Sequence, residues 1–230
     1  MEQNDAGLHY CPVCDNNVRR FLPFGEPQRA HARCPCCGAL ERHRLDWIFF
    51  ARRTNLFDRR YKKMLHVAPE AFLVARFRNI EGIDYLSADL NDPSAMERMD
   101  LTDIHHPDDS FQVIYCSHVL EHIPDDRKAL AELYRVLSLG GWAMLQVPIT
   151  AEQTYEDPMI VTPEARQRHF GQWDHVRLCG PDYADRMRDA GFVVEVLQAT
   201  DVVAAAECAR MGIQTDRYIF FCRKHIMEAR

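Results

Sequence analysis

The sequence predicts an α/β fold, a doubly wound and mostly parallel sheet with helices on both faces, behind a small cysteine-rich N-terminal segment. Three observations carry this expectation. Short apolar runs alternate with helix-spaced segments from residue 64 onward. Two Cys-x-x-Cys pairs are confined to the first forty residues. Polar residues gather where the apolar runs end. The 230 residues suffice for one α/β domain of ordinary size and a small appendage.

Residues 1–40 hold the cysteine pairs and little hydrophobic periodicity, so a metal is needed to stabilise them. The pairs are Cys11-Pro12-Val13-Cys14 and Cys34-Pro35-Cys36-Cys37-Gly38, with nineteen residues between them. Each pair can set two thiolates on one tight turn, and two turns close a tetrahedron around zinc. Cys11, Cys14, Cys34 and Cys37 are the expected ligands, with Cys36 as the spare. Four cysteines leave zinc no open position, so the site reads as structural. Residues 41–60 form a linker, with a helix charged at its front and apolar at its back.

Residues 61–230 form the main domain. Strands are expected at 64–68, 83–87, 96–101, 111–116, 142–147, 192–197 and 218–222. Helices are expected at 70–78, at 125–137 with Leu130, Leu133, Tyr134 and Leu137 on one face, and at 182–190 before Gly191. Gly140-Gly141 reads as a turn, and 166–177 as a loop.

Composition narrows the class. The chain is 47% hydrophobic and 27% charged, as soluble globular proteins are. No apolar run approaches the ~18 residues of a membrane helix. The polar start, Met1-Glu2-Gln3-Asn4-Asp5, is unlike a signal peptide, and a cytoplasmic location is expected. Nine cysteines without a disulfide-like spread suit a reducing compartment. The net charge of −6 conceals a basic stretch: residues 19–63 carry twelve Lys/Arg against four Asp/Glu. Such a stretch is either a solvated face or a surface for an anion such as RNA.

In doubly wound sheets ligands sit beyond the carboxyl ends of the strands. Four such ends are polar here: His66-Val67-Ala68-Pro69-Glu70, Ser87-Ala88-Asp89-Leu90, Asp100-Leu101-Thr102-Asp103 and Ser117-His118-Val119-Leu120-Glu121-His122. The run from Phe111 to Asp126, the following Ala131-Glu132-Leu133-Tyr134-Arg135-Val136-Leu137 and Gly140-Gly141 resemble the fourth-strand region of class I S-adenosylmethionine-dependent methyltransferases of type 11. The resemblance extends over about 61–224. The cysteine segment is similar to the N-terminal zinc ribbon of one subgroup.

The resemblance implies a Rossmann-like seven-stranded methyltransferase sheet whose last strand is antiparallel. It also implies S-adenosylmethionine as cofactor. Asp89 would hold the ribose hydroxyls, with Leu90 beside it. Asp100 would accept from the adenine amino group, with Leu101 and Thr102 at the ring edge. Ser117 and His118 would lie at the methionine end, and His66, Ala68 and Glu70 would form the first loop. That loop lacks the glycines usual in the family, and Glu70 is placed to meet the cofactor's ammonium group.

Methyl transfer to a hydroxyl needs a base, which histidine supplies near neutral pH. His118 and His122 are candidates, four apart after the fourth strand. The segment 166–177 adds His169 or His175 as base, Asp174 to orient it, and Arg177 to hold an anionic acceptor. No Asn-Pro-Pro-Tyr-type run follows the fourth strand, which favours an oxygen nucleophile on a small anionic or polyhydroxylated molecule. Two alternatives are an RNA methyltransferase gripping its substrate with the basic stretch, and a non-catalytic cofactor- or protein-binding relative.

Overall fold

The structure, a computed structural model, describes residues 8–225; the polar start Met1–Asp5 lies outside them. The described residues form two compact units, one of residues 8–59 with Leu197–Arg217, the other of Arg60–Val196 with residues 218–225. Among the described residues no helix is long and apolar enough to cross a membrane.

In the first unit β1 (His9–Cys11) pairs antiparallel with β2 (Asn16–Val18), and β3 (Leu22–Phe24) with β4 (Arg29–Arg33). Isolated two-stranded ribbons of this length are marginal in water. They are reinforced by α1 (Glu41–Arg53), which buries Leu45, Phe49 and Phe50. Arg44 of α1 is fully buried and works as a tie. Its guanidinium lies 3.8 Å from the Phe21 ring centroid and donates to the carbonyls of Ala32, Ala39, Met211 and Gly212. Thus residues 197–217, read from sequence as part of the main domain, group with the N-terminal segment. They carry the last two helices in chain order, α6 (Ala199–Val202) and α7 (Ala205–Met211).

The second unit is built on seven strands: β5 (Lys62–Val67), β6 (Ile83–Asp89), β7 (Glu97–Arg98), β8 (Phe111–Ser117), β9 (Leu137–Gln146), β10 (Val193–Gln198) and β11 (Tyr218–Arg223). Their order is β10-β11-β9-β8-β5-β6-β7. β5 pairs parallel with β6 and β8, β6 with β7, and β8 with β9, whereas β11 runs antiparallel to β9. From β5 the chain winds out through β6 and β7, then returns to β8 and β9 on the other side. The carboxyl ends of β5 and β8 therefore flank a topological switch point, where doubly wound sheets bind ligands. The crossovers include α2 (Ala71–Arg78), α3 (Asp126–Val136), α4 (Pro163–Phe170) and α5 (Tyr183–Asp189). Leu130 and Leu133 of α3 join Ile114, Cys116, Ala143 and Leu145 in one apolar core.

Two elements differ from the sequence reading. The expected turn at Gly140-Gly141 is part of β9, whose register on β8 shifts between Phe111 and Val113. A Cβ on Gly141 would lie 2.8 Å from the Ser138 carbonyl oxygen and 2.9 Å from that of Gln112. Both obstacles are backbone, so Gly141→Ala is expected to lower stability by about 1–3 kcal/mol, read as a shift in urea midpoint. An unchanged midpoint would show that the sheet relaxes around the methyl group. The expected loop at 166–177 begins as the end of α4. Thr162 caps α4 by accepting from the Ala165 amide, Pro163 opens it, and Gly171 at φ +80° ends it. Those start and stop signals were legible in the sequence.

Candidate active site

The polar strand ends come together on one edge because β8, β5, β6 and β7 are adjacent and parallel. At the end of β5, Ala68 takes φ +48°. That is left-handed backbone which a Cβ disfavours, at the loop where the resembled family carries glycine. At the end of β8, His118 takes φ +57° and its amide donates to the Gln146 carbonyl, at 2.9 Å. Left-handed non-glycine residues are held this way only when the surrounding structure over-determines them, and they concentrate at functional sites.

His66 is fully buried, packed against Phe77, Tyr85 and Tyr115. A ligand cannot reach it, which corrects its assignment as a cofactor contact. Its ring meets Glu70 and Tyr85 instead. Nδ1 lies 2.9 Å from the Tyr85 hydroxyl and Nε2 3.2 Å from the Glu70 carboxylate. Burial pushes the Tyr85 hydroxyl up to about 12, so it stays protonated beside Nδ1.

Asp89 is half-buried, and its Oδ1 accepts from the Asn91 and Asp92 amides, both at 2.7 Å. Asp100 is exposed, and its Oδ1 accepts from the Thr102 amide and hydroxyl, both at 2.8 Å. These bonds hold the Asp100 carboxyl below the usual carboxylate range. Leu90 is exposed beside Asp89, and Leu101 is buried under the loop. The Ser117 hydroxyl, buried at the end of β8, has no hydrogen-bond partner among the described residues.

Beyond β8, the turn Leu120–His122 is 3-10 and not α-helical. His118 Nδ1 and His122 Nε2 both face Oε1 of Glu121, at 3.2 and 3.9 Å. Glu121 was not among the expected site residues. The signal was present, as a carboxylate between two histidines directly after a buried strand. Asp174 Oδ2 lies 3.2 Å from His122 Nδ1, and the His175 ring meets the His122 ring edge-on at 4.7 Å. His169, by contrast, is exposed on the last turn of α4 and does not join this cluster.

Arg177 requires a correction. Its side chain is 1% exposed. The guanidinium donates to the carbonyls of Leu120, Ile123 and Pro124 and to Glu156, and stands 3.5 Å from Asp126. All its donors are committed within the protein, so it cannot hold an acceptor. It fastens the turn that carries Glu121 and His122.

In the first unit, the four expected cysteines converge, with Sγ–Sγ separations of 3.7 Å for Cys11–Cys37 and 3.8 Å for Cys14–Cys34. A tetrahedral zinc with Zn–S bonds of about 2.3 Å spaces its sulfurs at about 3.8 Å, so this set fits zinc. Gly38, at φ +84°, turns the backbone so that its amide donates to the Cys34 carbonyl. Cys36 is exposed.

Residues 65–145, from β5 to β9, match the family described as methyltransferase domain. Solved structures share the chain's fold. An S-adenosylmethionine-dependent methyltransferase from Mesorhizobium loti is 15% identical with a TM-score of 0.50, the match covering 78% of this chain and 97% of that one. The 1,6-didemethyltoxoflavin-N1-methyltransferase of Burkholderia thailandensis, solved with S-adenosylhomocysteine, is 16% identical with a TM-score of 0.50, covering 73% and 72%. The cyclase SpnF is 14% identical with a TM-score of 0.53, covering 81% and 84%. A cyclase in this company shows that the fold of a methyltransferase domain does not by itself assign the reaction. Among curated proteins none matches the chain by sequence.

Proposed function

We propose that the methyltransferase domain binds S-adenosylmethionine along the ends of β5, β6, β7 and β8 and methylates an oxygen of a small anionic or polyhydroxylated acceptor. The observation that carries this is the placement of Glu70, Asp89 and Asp100 at successive ends of parallel strands, with a histidine cluster beyond the next. The buried, unpartnered Ser117 hydroxyl between these groups supports a polar ligand there. When bound, S-adenosylmethionine supplies a sulfonium methyl carbon, which the acceptor oxygen takes in line while the carbon–sulfur electron pair leaves with sulfur.

The chain's own residues orient and deprotonate. Glu70, held by His66, would meet the ammonium group. Asp89 would hold the ribose hydroxyls and Asp100 would accept from the adenine amine, each a charge-assisted bond. Glu121 beside Nδ1 of His118 favours the tautomer protonated there, which makes Nε2 the basic nitrogen for the acceptor's proton. The four cysteines hold a structural zinc, consistent with nine free cysteines in a reducing, cytoplasmic setting.

The RNA alternative is weakened by the fate of the basic stretch. Arg44 is buried, while Arg29 and Arg52 pair with Glu41 and Glu207 at 3.0 and 2.7 Å. Fewer cations are left for a phosphate backbone than the sequence suggests. Calorimetry with S-adenosylmethionine tests the proposal, and Asp100→Ala is expected to weaken binding by about 1–3 kcal/mol. Unchanged affinity in the folded variant would displace the adenine from this loop. No affinity in the parent protein would favour a non-catalytic relative.

A further inference from the structure

We infer that Glu121, His122 and His175 form a second metal site, for a divalent cation bound by mixed oxygen and nitrogen ligands, separate from the four cysteines. One donor atom from each of the three lies within 4.8 Å of the others. One carboxylate and two imidazoles suit a first-row divalent ion and leave coordination positions open.

Burial gives the first independent support. The Glu121 side chain is 1% exposed, and neither carboxylate oxygen has a hydrogen-bond partner among the described residues. Oε1 faces the His118 and His122 rings at 3.2 and 3.9 Å, and a buried carboxylate without a full hydrogen bond is costly unless a cation compensates it. The second support is the orientation of His122. Its Nε2 faces Glu121 at 3.9 Å, while Nδ1 meets the Asp174 carboxylate at 3.2 Å. A ligating histidine is ordinarily held in this way, one nitrogen toward the metal and the other on a carboxylate.

The third support is rigidity. His175 comes from a distant stretch of chain, yet that stretch is clamped to the turn carrying the other two donors. The Val176 amide donates to the Glu121 carbonyl at 3.0 Å, and Arg177 donates to the carbonyls of Leu120 and Ile123. The site is also reachable, because the side chains of His118 and His122 are 25% and 31% exposed. Its catalytic meaning rests on the reading above: a cation here would hold the acceptor oxygen and lower the pKa of its hydroxyl.

The test is direct binding. The full chain, its cysteine site loaded with zinc and free zinc removed, is titrated with manganese(II) and followed by the spin-resonance signal of the free ion. Cobalt(II) is titrated separately and followed by its visible spectrum. Hard manganese disfavours thiolates, and cobalt bound without sulfur lacks thiolate charge-transfer bands. One equivalent of either ion is expected. Glu121→Gln and His175→Asn should each weaken it by more than roughly tenfold, the scale seen for disrupted metal sites. His175 is only partly buried, so the second variant serves if the first does not fold. No uptake of either ion at millimolar concentration, or uptake unchanged in both folded variants, would overturn the inference. Cofactor calorimetry on the same samples separates the two claims. Cofactor binding without metal uptake refutes the metal site alone, whereas metal uptake without cofactor binding refutes the methyltransferase reading alone.

Discussion

Replacing Cys34 by serine is expected to release the zinc and leave the stretch from β1 to β4 without stable structure. The four strands there span only three to five residues each. Their two ribbons bury too little apolar surface to hold themselves together. Zinc bound to such small domains contributes about 10–16 kcal/mol, far more than any packing contact available to them. The parent protein, purified without chelator, should contain one zinc, and Cys34→Ser should contain none. Limited proteolysis should then cut the variant within residues 9–39 while sparing the parent. Cys36→Ser should behave as the parent does, since Cys36 is exposed and outside the four-sulfur set. A metal-free Cys34→Ser protein that resists protease as the parent does would refute the structural role of zinc.

Arg177→Ala is expected to destabilise the second unit by about 3–5 kcal/mol, the usual effect of removing one partner from a buried ion pair. The substitution strands the carbonyls of Leu120, Ile123 and Pro124. It also strips one cation from Asp126, which keeps its bonds to Tyr183 at 2.7 Å and Arg186 at 3.0 Å. Because Arg177 fastens the turn at Leu120–His122, the loss should loosen Glu121 and His122 together. Urea unfolding reads the stability, and manganese uptake below the unfolding transition reads the turn. A variant as stable as the parent but without turnover would return Arg177 to a role on the substrate.

The strand order of chemistry along this chain was legible in the sequence for local reasons. Apolar runs such as 111–116 and the helix spacing of Leu130 and Leu133 are signals that short windows carry. The cysteine pairs are equally local, because each Cys-x-x-Cys is a single turn whose spacing dictates what it can bind. The strand-end carboxylates Asp89 and Asp100 were legible because the end of a parallel strand is itself a place in the fold.

What the sequence by itself determined, then, was the α/β class, the four-cysteine set and the edge of the sheet that carries polar groups. Tertiary structure alone decided that His66 is buried and meets Glu70, that Glu121 is sealed among histidines, and that Arg177 is consumed by backbone carbonyls. It alone assigned residues 197–217 to the N-terminal unit, through bonds such as that from Arg44 to Gly212, 168 residues apart. The physical reason is common to all four. A side chain's identity states which bonds it can make, but its partners and its access to water are set by chain segments that no local pattern brings together.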